Sequence, residues 1–446
     1  MKNLLILSYS LLALNMTAQD HFSGISTSRR IGMLNAGINP AELSNLSSKF
    51  ETQLFATSIN VSNNKVGIND LMNSNNIEDL IFADNKPVNM RIDTEIHGPG
   101  FAIRLNKWSF GFATKAFAKL TVIDIDPRLG NAINAETIGN VTTISNNYNQ
   151  RLNGSTWGEV GFSVARNIFE NDNHKFNGGA TLKLLFPGSY VNFGLDKFNG
   201  TIQNVLGDVY MNNTAVNLNI TYSGNLANSF NNANDFSQSL FGSLNGFATD
   251  LGFNYQWKDE DSYKLNTGLS FRNIGSMTFK DNNNSSTNYL LDIQPTPVNP
   301  NGMNLNLFEN ADGIAEVEEI LLNNGYLTKT PSNKDFKVKL PTVFSAYADV
   351  KVISKLFVTL YTQQKLGDDN QNNQVTTQNV VSITPRFSLK NFELYSPWSA
   401  NEISGTTGGF GFRFYGFYLG SSSVITALTN DTKQTDFYLG YRLGLR

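Results

Sequence analysis

Residues 435–446 read TDFYLGYRLGLR. Phe437, Leu439, Tyr441, Leu443 and Leu445 stand at every second position, with Tyr438, Gly440, Arg442, Gly444 and Arg446 between them. Successive side chains of a strand point to opposite faces, so this segment has one apolar face and one small-or-charged face. Such a strand can close a barrel by pairing with the first strand, which removes both sheet edges.

The same pattern recurs upstream. In 107–122, KWSFGFATKAFAKLTV, one face carries Trp108, Phe110, Phe112, Ala116, Ala118, Leu120 and Val122, while Lys115 and Lys119 lie on the other. In 246–257, GFATDLGFNYQW, Phe247, Leu251, Phe253, Tyr255 and Trp257 oppose Asp250, Gly252 and Asn254. In 407–416, TGGFGFRFYG, Phe410, Phe412 and Phe414 alternate with Gly409, Gly411 and Arg413. A soluble sandwich also alternates, because one face of each sheet packs on a core. Here the runs are long, and charges sit among small residues opposite the Phe row. Trp108, Trp157, Tyr255 and Trp257 cluster near strand ends, as an interfacial girdle requires. A membrane barrel turns its Phe row to lipid and keeps polar groups inside.

Composition agrees. Charged residues are 16% of the chain against roughly 25% in a soluble domain, whereas Phe alone accounts for 32 of the 446 residues. A net charge of −3 gives no electrostatic case for nucleic acid. With no cysteine, neither a disulfide framework nor a lipidated N-terminal Cys is available. Residues 1–18, MKNLLILSYSLLALNMTA, combine Lys2, an apolar core from Leu4 to Leu14 and a small residue at Ala18. This is the pattern of a secretory signal peptide cut after Ala18 or Gln19, with a core too short to span a bilayer. The expected location is therefore the cell outer membrane, with its lipid as the first partner.

Strands are expected at 50–62, 88–105, 107–123, 155–170, 174–190, 246–257, 263–273, 338–351, 355–365, 376–388, 391–397, 406–415, 416–427 and 434–446. Short and long connections alternate between them, as periplasmic turns and extracellular loops do. The fold class is thus all-β, a 14-stranded antiparallel transmembrane barrel over 50–446, behind a segment 19–49. The loops carry structure of their own. Ile314, Val317, Ile320 and Leu321 share a helical face, with Asp312 as N-cap and Gly325 at the end. NDLMNSNNIEDLIF (69–82) reads as a weaker helix, and 197–222 continue the strand alternation above the membrane.

His21, His97 and His174 have no ligand spacing, so neither a metal nor another cofactor is expected. No nucleophile–base–orienter set can be assembled, which argues against an enzyme. Gly98, Pro99 and Gly100 mark a bend in a long strand. The useful polar signal is the set Lys115, Lys119, Glu159, Asp250, Arg272, Arg413 and Arg442, all on lumen faces. Either they pair across a plugged lumen, or they line a channel or ligand pocket whose selectivity they set.

Between leader and barrel lies HFSGISTSRRIGMLNAGINPAELSNLSSKF (21–50), with Asn39, Pro40 and Ala41 at its centre. This segment resembles the N-terminal hatch of the long-chain fatty-acid transporter (FadL-like) outer-membrane family, which carries an NPA and folds into a fourteen-stranded barrel. GFATDLGFNY and LSFRNIG (Asp250, Gly252, Asn273, Ile274, Gly275) are similar to segments of an uncharacterised exported barrel family. A relative of that family is the PorV-type barrel, an accessory subunit of a protein secretion system. The terminal Leu445–Arg446 departs from the aromatic terminus usual for such barrels. The resemblance implies a hatch inside the barrel, a hydrophobic ligand if there is one, and no cofactor. Two functions follow as expectations: passive uptake of a small hydrophobic ligand through a hatch-gated barrel, or docking of a secretion or surface protein. A porin for polar solutes would require that the hatch leave an open pore.

Overall fold

The computed structural model describes residues 21–445, apart from 74–75, 135–136, 228–240, 261, 329–334 and 430–431. The leader 1–18 lies outside the described residues. Fourteen antiparallel strands form a ring: β1 Phe50–Asn63, β2 Val88–His97 continued by Gly100–Leu105, β3 Trp108–Ile125, β4 Asn149–Glu170, β5 His174–Asp196, β6 Gly246–Asp259, β7 Ser262–Phe279, β8 Phe336–Lys339 continued by Val343–Ile353, β9 Leu356–Lys365, β10 Val380–Ser388, β11 Phe392–Tyr395 continued by Trp398–Asn401, β12 Gly405–Gly408 continued by Phe410–Phe414, β13 Phe417–Ser421 and β14 Gln434–Leu445. The quoted C-terminal stretch closes the ring on β1, in register from Phe50↔Leu445 to Ser62↔Gln434.

Alternation decides which way each strand faces. Phe253 and Phe414 are each 55% exposed on the outside, while Asp250 and Asn254 on the inner face are 3% and 1% exposed. Outward apolar side chains have lipid as their solvent, and closure leaves no backbone edge unpaired in it. No helix among the described residues is long and apolar enough to cross a membrane. The fold is thus a fourteen-stranded antiparallel transmembrane β-barrel, of the expected class.

Several local expectations need correction. The strand expected over 416–427 stops at Ser421, and Val424–Thr429 is a short helix. The expected Asp312 N-cap is displaced by one residue: Gly313 caps the helix Ile314–Asn323, and the Asp312 N–H donates to Glu316 Oε2 at 2.9 Å. The segment 69–82 forms two short helices, Ile68–Asn73 and Ile77–Phe82. Trp157 is not part of a girdle. It is 3% exposed on the inner face and stacks on Phe117, with ring centroids 4.6 Å apart. A β-bulge between Thr156 and Trp157 lies at this point. The bend at Gly98–Pro99 is real, yet the wall stays paired there: Gly98 N–H donates to Thr114 O and Thr114 Oγ1 donates to Pro99 O, both at 2.9 Å.

Above the membrane β5 changes partners. Its lower half pairs with β6, while its upper end pairs with Thr214–Ser223, which in turn pairs with Ser285–Ile293. A separate four-stranded sheet and the helix Ile314–Asn323 cover this extension. Phe198, Ile202, Leu218, Ile220, Ile293 and Leu321 belong to the buried apolar core of this cap.

Candidate functional site

Residues 21–49 lie inside the barrel. Pro40–Asn45 form a 3-10 turn with Pro at its first position, where a missing N–H costs nothing. Asn39 caps it, its Oδ1 accepting from Ala41 N–H at 3.0 Å. The Nδ2 group then reaches the wall, donating to Phe253 O at 2.8 Å and Leu269 O at 3.3 Å. A backbone turn can approach a sheet this closely only where side chains are missing. Gly179, Gly252 and Gly268 on adjacent strands β5, β6 and β7 provide that floor. A Cβ on Gly179 would lie 2.5 Å from Ala41 N, and one on Gly252 would lie 2.0 Å from Asn39 Oδ1.

The next residue was invisible to the sequence reading. Glu42 is 3% exposed, and its carboxylate is held by amides and a phenol rather than by a cation. Oε1 accepts from Asn254 and Asn266, each at 2.9 Å, and from Tyr347 Oη; Oε2 accepts from Asn45 at 2.7 Å. Asn254 and Asn266 occupy inward positions of β6 and β7, so the inward asparagines of those strands were the available signal.

All seven inward charges sit within the lumen, each engaged. Lys115 Nζ lies 2.9 Å from Glu95, and Lys119 pairs with Asp93. Lys183 Nζ links Asp250 (2.8 Å) and Glu159 (3.7 Å). Arg413 Nε donates to Glu393 at 2.6 Å, and that carboxylate also accepts from hatch residue Ser28 at 3.0 Å. Arg442 Nη1 donates to Glu51 at 2.6 Å and Nη2 to the hatch carbonyl of Arg30, while Glu51 Oε1 accepts from Met33 N–H at 2.7 Å. Arg272 donates to Gly37 O at 3.2 Å and to Gln363. Two of the pairings thus bind the hatch through wall carboxylates, Glu393 and Glu51, which the sequence reading did not single out.

At its N-terminal end the hatch is pinned by His21, whose Nε2 is 3.0 Å from Asp93 and whose Nδ1 is 2.8 Å from Ser58 Oγ. Burial disfavours the imidazolium, but the Asp93 carboxylate, by charge and hydrogen bond, outweighs it, and the His21 pKa is raised above its ordinary value.

The hatch also brings apolar groups to the polar lumen. Met33, Ala36, Leu43 and Leu46 cluster with wall residues Ala102 and Ala165. Beside them is a cavity of about 50 Å³, bounded by Met33, Leu43, Gly111, Lys115, Glu159 and Lys183 among others. That is room for a few waters. Among the described residues no group of three or more His, Asp or Glu could hold a metal ion.

Solved structures with a similar layout include a hydrocarbon channel, a toluene transporter and a FadL homologue. A TodX deltaS2S3 mutant monoaromatic hydrocarbon channel is 10% identical, with 91% of this chain and 92% of that chain covered and a TM-score of 0.45. The Ralstonia pickettii toluene transporter TbuX is 11% identical over 94% and 95%, with a TM-score of 0.42. A Pseudomonas aeruginosa FadL homologue is 9% identical over 94% of each chain, with a TM-score of 0.32. These likenesses bear on neither ligand nor mechanism. No curated protein matches the chain. The family of unknown function DUF5723 matches residues 40–422, and the chain belongs to that family.

Proposed function

We propose that the barrel takes up small hydrophobic molecules passively across the outer membrane, with residues 19–49 acting as a hatch that must shift to let them through. The reading rests on a division of labour within the lumen. The wall contributes hydrogen-bonding and charged groups, and the hatch contributes the apolar cluster of Met33, Ala36, Leu43 and Leu46 against small wall residues. Apolar ligand atoms can replace those side chains when the hatch shifts, and water can replace its polar contacts.

Because the chain has no cysteine, a pair introduced as Leu43→Cys and Gly111→Cys is free of background. Leu43 Cδ1 would lie 3.2 Å from a Cβ at position 111, so a short thiol cross-linker can span the pair. Cross-linking should abolish uptake of hydrophobic probes by cells, and a cleavable linker should restore it on cleavage. Unchanged uptake with the hatch cross-linked would defeat the proposal.

A second reading, a docking barrel for a secretion or surface protein, is favoured by the extracellular cap, whose apolar core makes it a folded platform rather than a set of loose loops. Recovery of a stoichiometric partner from gently solubilised outer membrane, lost when the cap is removed, would move the weight to it.

A further inference from the structure

We propose that Lys183 and Asn273 become joined by an intramolecular isopeptide bond, a covalent strap from β5 to β7 that passes across β6 beneath the hatch.

Four observations carry the inference. First, Lys183 Nζ lies 2.6 Å from Asn273 Oδ1, which with a C=O bond of about 1.23 Å keeps it within about 3.8 Å of the amide carbon, close to a near-attack separation. Second, Asn273 is placed there by a β-bulge. The register of β6 with β7 shifts between Thr249↔Ile274 and Leu251↔Phe271, so Arg272 and Asn273 together oppose Asp250. Asn273 adopts φ +59°, a left-handed conformation that a non-glycine residue takes at a cost. Third, Asp250 holds both reactants: Oδ1 accepts from Asn273 N–H at 2.7 Å and Oδ2 pairs with Lys183 Nζ at 2.8 Å. Fourth, a second carboxylate, Glu159, stands 3.7 Å from the same nitrogen, and all three ionisable side chains are at least nine-tenths buried.

The step balances without an outside reagent. The Lys183 ammonium gives a proton to Glu159, the free amine attacks Asn273 Cγ, and the tetrahedral intermediate expels Nδ2. Glu159 returns that proton to Nδ2 and relays a second one to it from Nζ of the intermediate. Nζ thus loses two protons and Nδ2 gains two, and one ammonium ion is released while the Cγ–Nζ amide forms and the Cγ–Nδ2 bond breaks. The cavity that Lys183, Glu159 and Asp250 line gives the departing ammonium a place to go. In a chain without cysteine, this bond would serve the cross-linking role that a disulfide cannot.

The test is mass spectrometry of the protein purified from outer membrane, intact and after digestion. The expected result is an intact mass low by one ammonia and a branched peptide joining Lys183 to Asn273, both absent in Lys183→Arg. Glu159→Gln should leave the chain unjoined, or joined to a small fraction. If the natural chain yields only linear peptides across both positions, the proposal is overturned. The same holds if the missing ammonia maps to a cyclised N-terminal glutamine or to a succinimide within a linear peptide. These readouts need only the natural protein, so a variant that fails to assemble does not protect the idea.

Discussion

The hatch seat and the extracellular cap are buried by opposite means. In the cap, strands rise into water and exclude it with Leu218, Ile220, Phe198 and Leu321, the ordinary hydrophobic arrangement. In the lumen, the Phe rows face lipid, and the inner face left over is Gly, Asn, Ser, Tyr and charge. The hatch is therefore held by directional contacts such as Asn39 to Phe253 O and Ser28 to Glu393, alongside the packing of Phe22, Ile25 and Leu34 on wall tyrosines Tyr395, Tyr418 and Tyr438. Burying ion pairs brings little net stability, because desolvation offsets the attraction, but it fixes geometry and is costly to break halfway. The cap is thus stable but unspecific in detail, whereas the hatch is exactingly positioned by contacts that water can replace. That is the property a gate needs.

Removing one partner of a fully buried ion cluster should break the comparison hardest. Glu393 serves Arg413 at 2.6 Å, Ser388 at 2.7 Å and Ser28 at 3.0 Å. Glu393→Ala leaves the buried Arg413 guanidinium without its carboxylate, while Arg386 keeps Asp349, and should destabilise the barrel by about 3–5 kcal/mol. Urea unfolding in detergent would read this as a lower midpoint. An unchanged midpoint would mean that the lumen is hydrated enough to solvate Arg413 by itself.

In the cap, Leu218→Ala removes a side chain that is 1% exposed. It should cost about 2–5 kcal/mol through lost transfer energy and a cavity. The loss should be local: faster proteolysis of the 197–245 connection, with the barrel transition unmoved. If the barrel transition falls as well, cap and wall fold as one unit.

A smaller effect should come from the glycine floor. Gly252→Ala places a methyl 2.0 Å from Asn39 Oδ1 and 2.9 Å from Pro40 Cδ, which the hatch can relieve only by lifting. Overpacking of this kind costs about 1–3 kcal/mol. The expected readout is a rise in hatch hydrogen exchange and in permeability to hydrophobic probes. An unaltered hatch would show that Asn39 can turn aside without losing its seat.

How much of this was legible in the sequence follows from what each signal depends on. Period-two alternation depends only on strand geometry, so all fourteen strands were found, and the closure of 434–446 on the first strand with them. The strand expected to run through Val424 failed because alternation at SSSVITALT is as compatible with a short helix as with a strand once the membrane surface is passed. Trp157 was misplaced because its strand was expected to begin at 155; it begins at Asn149, which puts Trp157 well inside the strand on the same inward face as Glu159. The inward charges could be read, but their partners could not: Glu51 meets Arg442 across a separation of 391 residues, a pairing that only barrel closure creates. Glu42 was hidden for the same reason, since its partners Asn254, Asn266 and Tyr347 come from three different strands.

The smallest effect, and the sharpest test of polar against apolar attachment, is pH dependence, because His21 gives the hatch a titratable anchor. His21 faces Ser58 on β1, Asp93 and Glu95 on β2, and Lys119 on β3. Burial and Lys119 disfavour its charged form, the two carboxylates favour it, and the balance raises its pKa. A group whose pKa is higher folded than unfolded contributes stability that is complete below its unfolded value, about 6.5 for histidine, and is lost as pH rises through the folded value. The N-terminal part of the hatch should therefore be held more firmly in mildly acidic medium and loosen on the alkaline side. Hydrogen exchange over 22–31, corrected for the intrinsic pH dependence of exchange, should show greater protection at about pH 6 than at about pH 8.5. The cap strands should show no such difference, and His21→Gln should abolish it in the hatch. Equal protection at both values would mean that Asp93 is satisfied by Lys119 alone, and that His21 is held by its hydrogen bond to Ser58 rather than by charge.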